Sequence, residues 1–324
     1  MLLEVKDLSV YYYTLAGVVK GAENVSFSIK EGEWITFVGE SGSGKSTVAH
    51  AVINLVPSPG RIVSGEVIFK GRNLLSMKPE ELRQIRGKEI SMVFQDPMTS
   101  LDPLRKVGDQ IIEAMTVHGV EEEEARERAK ELLGKVNLPE DRLEYYPHQL
   151  SGGQRQRISI AIAMAFNPKL LIADEPTTAL DVIVQDSIMD LIEKMKAAGT
   201  SIYFVTHDIS LAAERSDKIA VMYAGKLVEF GTVDQIIDNP LHPYTRALVE
   251  SVPDLWSEKA VKAIPGYPPD LRNPPAGCRF HPRCPVFREK GYLKGRCDSV
   301  EPAMIEYEKG HFVACHAYGG ASDE

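Results

Sequence analysis

The order of hydrophobic and polar residues predicts strands that alternate with helices. Leu3 to Val10 alternates apolar and polar positions, as in a half-buried strand, whereas Trp34 to Val38 is an apolar run broken only by Thr36, as in a buried one. A helix is expected to begin near Lys45 and to end before Pro57. Leu170 to Ala173 is a further apolar strand. This alternation predicts an α/β fold with a largely parallel sheet.

Two segments depart from the alternation. Between Leu101 and Gln149 the pattern is helical: Val107 to Val117 is amphipathic, and Glu121 to Val136 begins with acidic residues and carries apolar residues on one side. Near Asn239 the composition becomes rich in proline. We therefore predict an α/β core of residues 1–100 and 150–238 with an N-terminal antiparallel β subdomain, an inserted helical subdomain of residues 101–149, and a C-terminal extension of residues 239–324.

The composition is that of an ordinary globular protein. The 324 residues are 44% hydrophobic and 26% charged, and the formal net charge of −9 argues mildly against a nucleic-acid-binding surface. The N-terminus lacks the basic flank and apolar region of a signal peptide, and no apolar run approaches the roughly 18 to 20 residues that span a bilayer. We therefore expect a chain that stays inside the cell.

Residues 39–46 read GESGSGKS, which fits the phosphate-binding pattern G-x-x-x-x-G-K-[ST] after an apolar strand. Glycines let the backbone approach an anion at a helix N-terminus. Lys45 is expected to reach the β- and γ-phosphates of ATP, and Ser46 to offer its hydroxyl to Mg²⁺. The predicted phosphate-binding residues are Gly39, Ser41, Gly42, Ser43, Gly44, Lys45, Ser46 and Thr47.

Two carboxylates follow a second apolar strand, in the sequence LLIADEP of Leu170 to Pro176. Asp174 is expected to support the Mg²⁺ shell, and Glu175 to act as the general base that polarises the attacking water. The alternative is that the pair caps a helix at the end of the strand.

The run LSGGQRQR, from Leu150 to Arg157, lies between the phosphate-binding loop and the acidic strand end. Alone, a Ser-Gly-Gly turn can be an ordinary helix start. The three motifs in this order resemble the ATP-binding cassette family, whose nucleotide-binding domain has the P-loop NTPase fold. The resemblance implies that Ser151, Gly152 and Gly153 contact the γ-phosphate held by a second ATPase chain, which is a copy of this chain or a related one.

The resemblance assigns roles to four more residues. Gln95 matches the loop that contacts the metal and the membrane partner, and His207 matches the residue that senses the γ-phosphate. Asp181 ends the Ala179–Asp181 segment that crosses to the second cassette, and Tyr12 lies where an aromatic ring stacks on adenine. The alternatives are a solvated turn for Gln95, a core histidine for His207, and a structural tyrosine cluster for Tyr12.

Four further sequence segments indicate which group of the family the chain resembles. The segments that carry it are QDPMTSLDP at residues 95–103, ALDVIVQ at 179–185, VMYAGKLVE at 221–229 and HPYTRAL at 242–248. They look like the D-type ATPase subunits of dipeptide and oligopeptide import systems. This implies a peripheral protein at the cytoplasmic face of the membrane, two membrane permease subunits, an extracytoplasmic substrate-binding protein and no nucleic-acid partner.

Other members of the wider class fit less well. DNA-maintenance ATPases place a long coiled coil between the phosphate-binding loop and the signature, but Lys45 and Ser151 are too close in sequence for one. Signalling GTPases need an Asn-Lys pair, which the sequence lacks. Import of oligosaccharides or nickel remains the alternative, followed by a soluble ATPase acting on nucleic acid or in iron–sulfur assembly.

All four cysteines lie after residue 277, at Cys278, Cys284, Cys297 and Cys315. Disulfides are not expected in a reducing cytosol, so we expect the thiolates to converge on a metal or cluster. The resemblance to peptide importers implies a 4Fe–4S cluster. A zinc ion and free structural thiols are the alternatives, although the spacing lacks the C-x₂-C pair common in zinc sites.

Overall fold

The computed structural model describes residues 1–96, 100–178, 180–251, 264–289 and 291–318, and these form two compact units. The first unit comprises Met1–Ser28, Trp34–Leu75 and the described residues of Thr206–Glu324. The second comprises Ile29–Glu33 and the described residues of Ser76–Val205. The three-part division expected from the sequence stays a prediction.

The elements of the described residues follow the predicted alternation, with additional strands near the C-terminus. The strands are β1 (Leu3–Thr14), β2 (Gly17–Ile29), β3 (Trp34–Val38), β4 (Gly60–Phe69), β5 (Arg72–Asn73), β6 (Ile90–Val93), β7 (Leu170–Asp174), β8 (Ser201–Val205), β9 (Lys218–Tyr223), β10 (Lys226–Thr232), β11 (Ile305–Glu308) and β12 (His311–Val313). The helices are α1 (Lys45–Val52), α2 (Pro79–Ile85), α3 (Val107–Thr116), α4 (Glu122–Lys135), α5 (Gly152–Met164), α6 (Val182–Ala197), α7 (Ile209–Arg215), α8 (Val233–Asp238), α9 (Pro243–Glu250) and α10 (Pro285–Glu289).

Two sets of strands build the first unit. One is an antiparallel sheet in the order β2-β1-β4-β5, in which Leu3 pairs with Phe69. This sheet confirms the antiparallel strands predicted near the N-terminus. The other set has the order β11-β12-β10-β9-β3, and β3 runs parallel to β9 with Phe37 opposite Ala220. All of β3 is buried, including its one polar residue, Thr36, as its mainly apolar sequence predicts.

The chain after β10 adds strands and helices to the first unit. β12 pairs antiparallel with β10, and β11 with β12, although the sequence pattern did not predict these two strands. Glu229 of β10 is fully buried. It accepts hydrogen bonds from Leu241 N, His242 N and His311 Nε2, each with a length of 2.8 Å. One buried carboxylate therefore ties three segments together. The proline-rich residues 264–275 contain no helix or strand.

The second unit contains a parallel sheet in the order β8-β7-β6, in which Leu171 pairs with both Ile202 and Ser91. Its helices α3 and α4 pack on each other and on α5. The apolar side predicted for α4 is buried, namely Ala125, Ala129, Leu132 and Leu133. Within the described ranges, no helix has the length and apolar character needed to cross a bilayer.

His242 makes the stability of the first unit depend on pH. Burial lowers the pKa of His242 to about 4, although the charge of Glu229 acts in the opposite direction. The unfolded chain binds this proton near pH 6.5, so the folded state loses stability as the pH falls from 6.5 towards 4. We expect this residue to cost about 1.5 kcal/mol between pH 6.5 and 5.

His242→Asn tests this expectation, because asparagine keeps an acceptor for the Tyr244 N–H at the start of α9 and does not titrate. Denaturant unfolding at both pH values should show a smaller loss of stability for His242→Asn than for the wild type. An equal loss of stability in both proteins would show that His242 does not cause the pH dependence.

Candidate nucleotide-binding site

The loop predicted to bind phosphate joins β3 to α1 in the first unit. Gly39, Gly42 and Gly44 have φ angles of 152°, 76° and 101°, in the region that favours glycine. A Cβ atom on Gly39 would lie 2.1 Å from the carbonyl oxygen of Met222, and one on Gly44 would lie 2.3 Å from that of Gly21. Larger residues therefore do not fit at either end of the loop.

Two polar side chains of the loop are buried. Lys45, the first residue of α1, donates from Nζ to the carbonyl oxygens of Gly39 (2.8 Å) and Glu40 (3.1 Å). Ser43 Oγ is buried without a hydrogen-bond partner in the described part of the chain. Ser41 is exposed. An ammonium group, an unsatisfied hydroxyl and the N–H groups that begin α1 are donors suited to a polyphosphate, so these residues fit ATP.

Tyr12 lies against the same helix. Its hydroxyl and Thr47 Oγ1 form a hydrogen bond of 3.1 Å. Thr47 lies in the first turn of α1 and directly follows the half-buried Ser46. Tyr11 instead donates to a carboxylate on β2, and Tyr13 is exposed. Of the three adjacent tyrosines, the structure thus places Tyr12 beside the phosphate-binding helix.

The predicted base and the predicted metal-contacting glutamine meet in the second unit. Glu175 Oε2 accepts hydrogen bonds from Gln95 Nε2 (3.0 Å) and from Thr178 Oγ1 (3.1 Å). Asp174 ends β7 and is almost fully buried. The pKa of Tyr203 is raised by burial of the Tyr203 side chain and by the charge of Asp174. The sequence indicated Gln95 but not Thr178, because a threonine after an acidic pair has no distinctive pattern.

The Ser-Gly-Gly signature forms the start of α5. Ser151 Oγ accepts from Gln154 N (3.3 Å), and Gln154 Oε1 accepts from Ser151 N (3.0 Å), which is a capping box. A Cβ atom on Gly153 would lie 2.6 Å from Val184 of α6, and one on Gly152 would lie 3.6 Å from a leucine side chain. The helix-start geometry is therefore present, and the exposed Ser151 remains accessible at that end.

Asp181 and His207 lie at two further element ends. Asp181 Oδ1 accepts from Val184 N over 2.9 Å and caps α6. His207 belongs to the first unit and is exposed. It follows Thr206, whose N–H donates a hydrogen bond of 3.1 Å to Phe37 O. Exposure excludes the core histidine considered above. Residues 97–99, Ala179 and the last residues of the chain lie outside the described residues.

The four cysteines line one small pocket in the first unit, together with aromatic side chains. All four are free thiols. Burial raises the pKa of Cys278 to about 12 and that of Cys315 to about 11, and it also raises the pKa of Cys284 and Cys297. Such thiols are protonated at neutral pH, so binding of a metal ion would require them to release these protons.

The predicted 4Fe–4S cluster, with zinc as its alternative, is wrong for this structure. Across residues 1–318, apart from the gaps given above, no group of three or more His, Cys, Asp or Glu side chains is arranged so that it could hold a metal ion. Clustering of cysteines in the sequence predicted their proximity correctly. It did not distinguish metal ligands from protonated thiols packed in a core, which was the third alternative.

Sequence reasoning also missed two residues that contact the phosphate-binding loop. Arg283 and Tyr244 both bond to Glu40, and Arg283 is 243 positions away from it in the chain. No local pattern indicates such a contact, because an arginine or a tyrosine in a proline-rich tail has many ordinary explanations.

Two family models match the chain. The model described as ABC transporter matches residues 22–178, and the model described as oligopeptide/dipeptide transporter, C-terminal region, matches residues 228–290. The first match contains the phosphate-binding loop, the Ser-Gly-Gly signature and the acidic strand end. The second contains α8, α9 and α10.

Curated relatives match almost the whole chain. The dipeptide transport ATP-binding protein DppD of Lactococcus lactis is 50% identical over 96% of this chain and 89% of its own. The oligopeptide transport ATP-binding protein OppD of Bacillus subtilis is 48% identical over 96% of this chain and 87% of its own. The solved dimeric structure of MJ0796, a bacterial ABC transporter cassette, is 32% identical with a TM-score of 0.65, over 72% of this chain and 99% of that one. The chain therefore belongs to the ATP-binding proteins of the ABC transporter family, in its oligopeptide/dipeptide transporter group.

Proposed function

We propose that this chain is the ATP-hydrolysing subunit of an ABC importer for dipeptides or oligopeptides. The observation that carries the proposal is the glycine geometry of the phosphate-binding loop, in a chain whose relatives are named for dipeptide and oligopeptide transport. The subunit works at the cytoplasmic face of the membrane, where it pairs with a second cassette and binds membrane permease subunits. An extracytoplasmic binding protein delivers the peptide.

The phosphate-binding loop holds the nucleotide. Backbone N–H groups at the start of α1 and the ammonium group of Lys45 bind the phosphate oxygens, and Tyr12 stacks on the adenine ring. Ser46, Gln95 and Asp174 are the residues that would hold Mg²⁺. A bound Mg²⁺ neutralises charge on the phosphate oxygens.

Glu175 supplies the proton chemistry. It accepts a proton from the attacking water while the water oxygen bonds to the γ-phosphorus and the bond to the departing ADP oxygen breaks, which yields ADP and phosphate. The two hydrogen bonds to Gln95 and Thr178 hold the carboxylate in one orientation. His207 contacts the γ-phosphate and distinguishes ATP from ADP.

The signature residues serve a second cassette. Ser151, Gly152 and Gly153 contact the γ-phosphate bound by the partner chain, and Asp181 lies in the segment that crosses to it. Val182 and Ile183 begin α6 beside Asp181, and their side chains are 81% and 83% exposed. Exposed apolar side chains of this kind are suited to an interface with the second cassette. ATP binding closes the pair and hydrolysis reopens it.

Glu175→Gln should retain ATP binding and lose turnover. A positioned general base contributes about 10²- to 10⁴-fold in rate, so we expect kcat to fall by that factor while the affinity for ATP stays within about threefold. Steady-state phosphate release and equilibrium binding of ATP measure the two quantities. Glu131→Gln, at an exposed position of α4, is the matched control and should hydrolyse at the wild-type rate. Wild-type turnover in Glu175→Gln would exclude Glu175 as the base.

Gly39→Ala should abolish nucleotide binding, since its Cβ atom has no room beside Met222 O. We expect MgATP to raise the melting temperature of the wild type but not that of Gly39→Ala. Gly134→Ala serves as the control, because this exposed residue of α4 has no atom within 4 Å of its added Cβ. It should be neutral or stabilise by about 0.5 to 1 kcal/mol. A normal response of Gly39→Ala to MgATP would show that the loop is not the binding site.

A further inference from the structure

Glu40, the second residue of the phosphate-binding loop, is bound by a side chain from far along the sequence. Arg283 donates from Nη1 to Glu40 Oε2 over 2.8 Å and from Nη2 to Oε1 over 3.0 Å. This bidentate pairing both neutralises a carboxylate and fixes its orientation. The loop thus has a charged anchor that lies outside the motif defining it.

Arg283 is itself held in one position. A guanidinium group has five N–H donors, and those that do not reach Glu40 reach Pro265 O (2.9 Å), Tyr223 Oη (3.2 Å) and Ile264 O (3.3 Å). The Arg283 side chain is only 6% exposed. If the guanidinium group moved away from Glu40, its buried N–H donors would lose hydrogen bonds. The structure therefore favours a fixed position for Arg283 over a mobile one.

A second bond fixes the backbone of the same residue. The Tyr244 hydroxyl accepts a hydrogen bond from Glu40 N over 2.8 Å. Tyr244 is fully buried on α9, and its ring packs 4.6 Å from that of Tyr223 and 5.4 Å from that of Phe280. Residues that follow β10 therefore hold both the carboxylate and the backbone of Glu40.

The charge of Glu40 matters to an anionic ligand. Its carbonyl oxygen already accepts from Lys45 Nζ, so Glu40 belongs to the inner part of the loop. The Glu40 side chain is 27% exposed, which leaves its charge incompletely screened by water. An unpaired carboxylate there would repel phosphate groups, whereas the Arg283–Glu40 pair is neutral overall.

We propose that Arg283 is a positioning residue for nucleotide binding, which neutralises Glu40 and holds the phosphate-binding loop in the form that accepts a polyphosphate. The proposal rests on the ATPase function proposed above. It gives the C-terminal residues a direct influence on the affinity of the loop for ATP.

The test is direct binding of N-methylanthraniloyl-ATP and N-methylanthraniloyl-ADP, each with Mg²⁺, to the full chain. Arg283→Gln should weaken binding of the ATP analogue by about tenfold and of the ADP analogue by less, because the repulsion grows with ligand charge. Its kcat at saturating ATP should fall less than its KM rises. Arg283→Lys, which keeps the charge but not the bidentate geometry, should lie between Arg283→Gln and the wild type.

A second variant separates charge from structure. In the double variant Glu40→Gln/Arg283→Gln no carboxylate is left unpaired, so most of the lost affinity should return. Arg246→Gln is the matched control: this exposed arginine also follows β10, but it bonds to Pro240 O and Tyr318 Oη instead of the loop. It should bind both analogues as the wild type does.

Three results would overturn the proposal. These are wild-type affinity in Arg283→Gln, a double variant as weak as Arg283→Gln, and equal weakening of the ATP and ADP analogues. If Arg283→Gln does not fold, Arg283→Lys and the double variant carry the comparison, and wild-type affinity in Arg283→Lys counts against the proposal. Failure of the wild type to bind either analogue would contradict the ATPase function as well, whereas binding without hydrolysis would contradict the ATPase function alone.

Discussion

The space around Gly39 and Gly44 is the constraint on which the nucleotide site depends. Each lacks room for a Cβ atom beside a backbone carbonyl group, that of Met222 and that of Gly21 respectively. The loop can therefore curl at the N-terminus of α1 only with glycine at both positions, and the curl directs N–H groups towards an anion. Burial of the Lys45 ammonium group against the loop carbonyl oxygens follows from the same curl.

The parts of the fold and site that the sequence predicted are those whose cause is local. β3 and β7 are apolar except for Thr36 and the terminal Asp174, because both faces of each strand are buried, and such runs are visible in one short window. The phosphate-binding motif and the helix start at Ser151 can also be recognised from neighbouring residues, although contacts with distant residues complete the loop. The contact between Gln95 and Glu175 joins distant positions, yet both residues were predicted: Glu175 from the acidic strand end and Gln95 from the family resemblance.

The parts that escaped prediction depend on contacts between distant segments. Glu40 lies in a recognisable motif, but nothing near it in sequence points to Arg283. The pairing of β12 with β10 was equally hidden, because the three residues of β12 are too few to show a period. The cysteines were misinterpreted for another reason: their clustering in the sequence indicates proximity, but not whether the described side chains are arranged to hold a metal ion.

Peptide-dependent ATP hydrolysis by the assembled transporter is the most direct test of the proposed importer function. The chain would be reconstituted in liposomes with its permease subunits and a second ATPase chain, and phosphate release measured with the binding protein alone and with added peptides. We expect dipeptides or oligopeptides to raise the rate of phosphate release above its basal value. A rate that does not change with peptides but rises with an oligosaccharide or with nickel would contradict a function in peptide import.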